Sequence, residues 1–244
     1  MKRSHSKTNP LCFALLSSAI LCLAPTALAQ NDDVSPLFAV DPIFRDGLQG
    51  FESLDGRGFS LKRSGNEMLF KFVDEQEVWA LDSVPGPRGD EFLKNDIGRI
   101  FVRLTDLGGV ILYDAENPQG RPVDPVQDPM PIGAPKVEDD LEQNLSIYLT
   151  VRLKSQTKVR FGDHADEERR WIQDAARTAA EGLVRSETEA RALVSSVHVR
   201  TGPVPELELE KSGLLTVYVA PDIGYAGRPS TDRVVLFLKN GLAS

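Results

Sequence analysis

The chain has 244 residues, with 28 Lys and Arg against 36 Asp and Glu and three His, giving a formal charge of −8. Both cysteines, Cys12 and Cys22, lie within the first 29 residues, so the chain beyond them is disulfide-free and has no thiol nucleophile. The acidic balance and the lack of basic runs argue against nucleic acid or anionic lipid as a partner.

Residues 1–29 show the three parts of a signal peptide: a basic start, an apolar run at 11–23, and a small-x-small sequence that ends at Ala29. The run is shorter than the roughly 20 residues that cross a bilayer. We therefore predict cleavage near Ala29, export to the periplasm, and no stable membrane insertion after cleavage. The mature chain, 30–244, would carry 25 basic against 36 acidic side chains, a formal charge of −11.

Residues 30–56 lack a sustained period and are interpreted as an irregular lead-in with one short helix near 42–48. The next segment, 57–114, alternates short apolar stretches with turn residues, which is typical of an antiparallel β-domain. In one stretch Met68, Phe70 and Phe72 share a face. Six strands are predicted: 59–63, 68–73, 77–81, 91–94, 99–105 and 110–113.

Short connections favour antiparallel neighbours, so the predicted fold of this domain is a small β-meander, closed as a barrel or open as a half-barrel. An outer-membrane barrel would need strands of about 9–11 residues, longer than these. Residues 115–136 follow; six of the chain's sixteen prolines lie between 116 and 136. This composition predicts an extended linker and a domain boundary.

An α+β domain is predicted for 137–244, so the whole chain is assigned to the α+β class. In 137–155 helical and strand periods overlap, and we expect a helix that turns into a strand. An amphipathic helix follows, with Asp163 as its cap and an apolar stripe from Trp171 to Leu183. A short helix is expected at 190–194, and strands at 197–200, 207–210, 214–219 and 233–238.

The mature chain has two histidines, His164 and His198. His164 and Glu168 are four residues apart beside Asp163, Asp166 and Glu167, a spacing that could hold a divalent ion. Carboxylates also collect at helix N-termini for electrostatic reasons alone. The second interpretation is favoured, and no metal site is predicted.

His198 and Arg200 share one face of a predicted strand, and Glu206, Glu208 and Glu210 share one face of the next. A hairpin of these strands would pair Arg200 with Glu206 and His198 with Glu208, which sets the register. An acid–base site is the rival interpretation, although no nucleophile accompanies the histidine.

The remaining motifs favour structure over chemistry. Arg88-Gly89-Asp90 matches an adhesion tripeptide but is ordinary turn chemistry, and Trp79 and Trp171 are expected in the core or half-buried. The serine-hydrolase elbow, phosphate-binding glycine motifs and the His-Glu-x-x-His signature are absent from the sequence. No catalytic residue, cofactor or metal ligand is therefore assigned.

The chain's likeness to a known family rests on four segments. They are the strands at 68–72 and 77–81, Arg88-Gly89-Asp90-Glu91-Phe92-Leu93-Lys94-Asn95-Asp96, and Leu107-Gly108-Gly109-Val110-Ile111-Leu112-Tyr113. The chain resembles a family of uncharacterised exported bacterial proteins, a domain of unknown function. The resemblance spans most of the mature chain and implies export, but no activity, cofactor or site residue.

The favoured hypothesis is a non-enzymatic periplasmic binding or protein-interaction module with an envelope protein as its partner. The alternative is a cell-envelope hydrolase that uses Asp and Glu carboxylates, because a catalytic pair could be formed in space without a sequence signature. Whether the protein is an enzyme, and its oligomeric state, stay open at this point.

Overall fold

Alternating apolar side chains fold the first half of the chain into a closed antiparallel barrel. The computed structural model describes residues 47–64 and 67–242. Pairing of the first strand with the last, Gly50 opposite Val126, closes the barrel. The strands are β1 Leu48–Glu52, β2 Gly58–Ser64, β3 Glu67–Phe72, β4 Trp79–Pro85, β5 Glu91–Lys94, β6 Ile100–Leu104, β7 Val110–Leu112 and β8 Arg121–Val126.

Aromatic side chains fill the barrel. Phe51 stacks on Phe59 with ring centroids 5.2 Å apart, Phe59 stacks on Phe70 at 4.9 Å, and Phe101 meets Phe70 edge to face at 5.2 Å. All four are at most 2 % exposed. The barrel interior is therefore a packed hydrophobic core, as in other small barrels.

The barrel is larger than the predicted meander, because β1 and β8 join the six predicted strands.

The expectation of an extended linker is wrong for Arg121–Val126, which is β8. Strand β8 tolerates its two prolines because its first half pairs only with β7 and its second half only with β1. Neither proline therefore has to donate an N–H to a strand on its unpaired side. The predicted helix near 42–48 lies almost wholly outside the described residues, and Leu48 begins β1.

Gly50 allows the chain after β8 to pass close to β1. A Cβ at this position would lie 2.7 Å from Val126 Cγ2 and 2.9 Å from the Cα of Pro129. The second of these is backbone, which cannot swing away as a side chain can. Glycine is thus required by the close approach at the seam where the barrel closes.

The second half of the chain forms a four-stranded sheet in the order β11-β12-β10-β9, with β9, β10 and β12 parallel and β11 antiparallel at one edge. The α+β assignment is broadly confirmed. The strands are β9 Lys158–Phe161, β10 Ser196–Thr201, β11 Glu206–Leu209 and β12 Leu214–Val219, and the helices are α1 Leu141–Leu153, α2 Arg169–Arg185, α3 Thr188–Arg191 and α4 Thr231–Gly241. Short 3₁₀ turns occur at Pro87–Gly89 and Pro221–Gly227.

Two predictions for this half are wrong in element type. The segment 147–153 continues α1 and is not a strand, since Leu145 and Leu149 are buried with helical spacing. The predicted strand at 233–238 is part of α4. Ser230 caps α4 by accepting a hydrogen bond from the N–H of Arg233 at 3.1 Å, a signal that outweighs the apolar run.

Helix α1 lies along the open edge of β9. Its side chains accept hydrogen bonds from backbone N–H groups of the edge: Val159 donates to Ser146 Oγ at 2.9 Å, and Phe161 donates to Glu142 Oε1. Covering an edge in this way prevents unwanted strand pairing. None of the described helices combines the length and apolar character needed to cross a membrane.

Candidate binding groove between the barrel and the helices

A groove of about 460 Å³ opens where the turn after β3 meets the helices of the second half. The turn supplies acidic side chains, α1 supplies Leu145 and Tyr148, and α2 supplies Ala180 between charged residues. Apolar walls with a few polar groups are typical of ligand sites. The full lining is Asp74, Glu75, Gln76, Glu77, Leu145, Tyr148, Asp174, Arg177, Thr178, Ala180, Glu181, Arg185 and Thr231.

Arg228 pairs with two acidic residues of the groove lining, and its own side chain is 2 % exposed. Its Nη2 donates to the backbone carbonyl of Val78, at 2.7 Å, and its Nε donates to Asp174. Its Nη1 is 3.5 Å from Glu77 Oε1. Asp174 is thus the principal carboxylate of this guanidinium, and Glu77 is a more distant second one.

Glu77 is the least satisfied acid of the groove. Its side chain is 8 % exposed, and Oε1 accepts a hydrogen bond from the N–H of Thr231 at 3.0 Å. Within the described part of the chain, Oε2 has no hydrogen-bond partner. Burial raises the pKa of Glu77 to about 7, against the opposing effects of Arg228 and the Thr231 hydrogen bonds. Near neutral pH this carboxyl is therefore present in both protonation states.

The groove is acidic even after its ion pairs are included. Arg57 binds both Asp74 and Glu75 at 2.8 Å. With the ion-pair partners of the lining residues added, six carboxylates face four guanidinium groups. These ion pairs are Arg57 with Asp74 and Glu75, Arg177 with Glu138, Arg185 with Glu181, and Arg228 with Glu77 and Asp174.

A second cavity, of about 510 Å³, lies beside Trp171 and Tyr225. Lys62 Nζ donates to the carbonyl of Ile132 at 3.1 Å, and the Tyr225 hydroxyl donates to that of Gly133 at 2.7 Å. The Tyr225 hydroxyl and one N–H of Lys62 therefore bind the backbone that lines the cavity. Trp171 meets Tyr225 edge to face at 5.2 Å and is half-buried, as the sequence predicts.

The structure does not assemble the metal site weighed for His164 and Glu168. Among residues 47–64 and 67–242, no group of three or more His, Cys, Asp or Glu side chains could hold a metal ion. His164 Nδ1 lies 2.7 Å from the Gly162 carbonyl, and Glu168 accepts a hydrogen bond from the N–H of Ala165 at 2.8 Å. Helix α2 begins at Arg169, so Asp163 is not its cap.

The predicted hairpin of His198 and Arg200 with Glu206 and Glu208 is wrong, because β12 lies between β10 and β11. The strongly apolar β12 takes the interior position, and β11, with its exposed glutamates, takes the edge. Tyr218 of β12 bridges the two sets: Arg200 lies 5.8 Å from its ring, and its hydroxyl donates to Glu208 at 2.9 Å.

The tripeptide at 88–90 is structural. Asp90 is 7 % exposed and accepts hydrogen bonds from Arg103 Nε at 2.7 Å and from the N–H of Asp106 at 3.3 Å. Its carboxylate is thus committed to the barrel. Trp79 is 2 % exposed in the barrel core, as expected.

The groove residues Glu77 and Asp174, and their common partner Arg228, were not singled out by the sequence. They are separated by 97 and 54 positions, and none belongs to a motif.

Comparison with curated proteins and with solved structures gives no match. A family model described as a domain of unknown function, DUF4908, matches residues 45–238. The match spans the barrel, the sheet and all but the last three residues of α4, which confirms the resemblance to a family without assigned function. The chain belongs to the DUF4908 family.

Proposed function

We propose that this protein is an exported, non-enzymatic binding module of the cell envelope, and that the groove between the barrel and the helices receives a segment of a protein partner. The groove carries the proposal, because it combines an apolar wall with an excess of carboxylates. The barrel interior, by contrast, is filled by its own aromatic side chains. Export rests on the predicted signal peptide, 1–29.

Contacts between the barrel and the start of α4 support a preformed site. The N–H of Ser230 donates to Asp96 of the barrel at 2.9 Å, and Arg99 forms an ion pair with Asp232 at 3.0 Å. Together with Arg228, these bonds fasten the start of α4 to the barrel. A site that is ordered before binding loses less conformational entropy when the partner arrives.

An exposed apolar strip next to the groove supports a protein partner. Tyr148 lines the groove, and Ile147 and Val151 on the same helix are 56 % and 69 % exposed. The buried leucines of α1 already face the core. Exposed apolar residues that adjoin a groove are typical of protein-interaction surfaces.

In-cell photocrosslinking tests this function. p-Benzoylphenylalanine would replace Tyr148 in the groove or, as the matched control, Leu107 on the β6–β7 turn, which is 92 % exposed. We expect one dominant envelope-protein adduct from position 148 and none of that mass from position 107. Absence of an adduct at 148, or the same adducts from both positions, would contradict the proposal.

A cell-envelope hydrolase is the second candidate, and one observation favours it. Glu77 and Asp174 line one groove, and the raised pKa of Glu77 leaves part of it protonated at neutral pH, as a general acid requires. Both carboxylates, however, interact with the buried Arg228. The test is release of soluble fragments from cell-wall sacculi. Release by the wild type, but not by Glu77→Gln, would establish the hydrolase function and rule out the non-enzymatic binding module.

A further inference from the structure

We propose that the groove recognises a basic side chain, a lysine or arginine of the partner protein, and that Glu77 is the acceptor for its charged group. This inference rests on the proposed function and specifies what the groove selects. Three features carry it: the excess of carboxylates, the buried and unpaired Oε2 of Glu77, and the apolar wall beside it.

The charge balance favours a cationic occupant. Six carboxylates face four guanidinium groups when the lining residues and their ion-pair partners are counted. Arg152 beside Tyr148 adds a fifth cation at the rim, which leaves an excess of one carboxylate. In a partly buried site, an opposite charge from a partner both steers association and pairs with the surplus. An anionic segment would meet net repulsion.

The excess of carboxylates over guanidinium groups is located at Glu77. Its side chain is more than nine-tenths buried, yet Oε2 has no partner among the described residues, and the nearest guanidinium nitrogen, on Arg228, is 3.5 Å from Oε1. The other charged groups that act on it are Asp174 and Arg185. A buried carboxylate oxygen without a donor is costly. A donor that arrives with a positive charge removes that cost.

The wall next to Glu77 suits the aliphatic part of a basic side chain. Leu145 and Ala180 are buried and apolar, and the Tyr148 ring lies at the rim. Lysine and arginine bury their methylene stems against apolar surface while the charged end seeks an acceptor. Tyr148 already lies 6.0 Å from the Arg152 guanidinium, so its ring is compatible with a cationic neighbour.

The test uses small probes and the mature chain, residues 30–244. Nα-acetyl-lysine N-methylamide and its uncharged analogue, Nα-acetyl-norleucine N-methylamide, would be titrated while the backbone amide resonances of Thr231 and Gln76 are followed by NMR. Glu77→Gln is the variant, because its side-chain oxygen still accepts from Thr231. Glu206→Gln on the exposed edge strand β11 is the matched control.

We expect saturable shifts with the lysine probe, at least tenfold weaker binding to Glu77→Gln, unchanged binding to Glu206→Gln, and no saturable shift with the norleucine probe. Equal affinity of both probes, or wild-type affinity in Glu77→Gln, would overturn the inference. Should Glu77→Gln fail to fold, the wild type suffices. The amine of the lysine probe stays protonated from pH 6 to pH 8. With a Glu77 pKa of about 7, binding of this probe should weaken about tenfold from pH 8 to pH 6, and pH-independent binding would be the contrary result.

The crosslinking experiment separates this inference from the proposed function. An adduct at position 148 that persists in Glu77→Gln would support the proposed binding of a protein partner, and it would overturn the role of Glu77. Binding of the lysine probe without any protein adduct would support an amine site and overturn the protein partner.

Discussion

Arg228 donates a hydrogen bond from Nη2 to the backbone carbonyl of Val78, at 2.7 Å, and thereby joins the segment before α4 to the residue that precedes β4. The two residues are 150 positions apart, and the guanidinium is almost completely buried. Its Nε binds Asp174 on α2. One side chain therefore connects the barrel, α2 and the segment before α4.

Replacement of Arg228 by methionine should reduce the free energy of unfolding by about 3–5 kcal/mol, because the buried Glu77 and the partly buried Asp174 would lose their shared cation. Urea denaturation of the mature chain measures this. Arg177→Met is the matched control: Arg177 pairs with Glu138, which is 52 % exposed, and the expected loss is about 0–1 kcal/mol. Equal losses in the two variants would show that Arg228 does not have this structural role.

Glu77 should make the free energy of unfolding fall as pH rises. Its pKa is raised from 4.5 to about 7 in the folded chain, so between these values the folded state binds a proton that the unfolded state has released. The contribution is complete below about pH 4.5 and is lost as pH rises through 7, with a total of roughly 3 kcal/mol. Glu77→Gln should remove it.

The measurement is a set of urea denaturation curves from pH 5 to pH 9 for the wild type and Glu77→Gln. Other groups with shifted pKa values, such as Glu67, contribute equally to both proteins, so the difference isolates Glu77. We expect the variant to gain stability relative to the wild type as pH rises. Parallel pH profiles would refute the assignment.

Gly182 should be intolerant of a side chain, because α4 packs directly on α2 there. A Cβ would lie 2.6 Å from Cβ and Cγ1 of Val234 and 3.2 Å from the carbonyl of Thr231. Gly182→Ala should cost about 1–3 kcal/mol by overpacking, despite the better helix propensity of alanine. Thermal unfolding measures the loss. Gly241→Ala is the control, since a Cβ there meets no atom within 4 Å, and a comparable loss in both would contradict the packing argument.

Cleavage after Ala29 predicts that the protein isolated from the envelope begins at Gln30. N-terminal sequencing of the purified protein checks this directly. Ala29→Arg should leave the uncleaved chain, because the small residue at the cleavage site is essential, while Ser6→Ala should be processed normally. Recovery of the full-length chain from the cytoplasmic fraction would refute export.

The sequence reveals the barrel strands wherever apolar and polar residues alternate. In β3, Met68, Phe70 and Phe72 all face the core, as the period of two requires. The same reasoning fails for β8, where Pro122 and Pro125 suggest a linker. Proline is compatible with β8 only because each half of this strand pairs with a different neighbour. This pairing results from closure of the barrel, which local sequence patterns do not reveal.

Element type is ambiguous where an apolar run is continuous. Residues 233–238 fit a strand as well as a helix, and the Ser230 cap decides the matter only when its hydrogen bond to Arg233 is seen. The pairing of β10 with β12 is equally hidden, because strand order depends on burial of the whole sheet. Long-range pairings of this kind determine the groove, so Glu77, Asp174 and Arg228 could not be grouped from local patterns.

The most direct test of the account is a ¹³C NMR titration of the Glu77 side-chain carboxyl in the mature chain, with and without saturating Nα-acetyl-lysine N-methylamide. We predict a midpoint near pH 7 for the free protein, and a lower midpoint with the probe bound, because a cation beside Oε2 favours the ionised form. A midpoint that the probe leaves unchanged would contradict the claim that Glu77 receives a basic side chain in this groove.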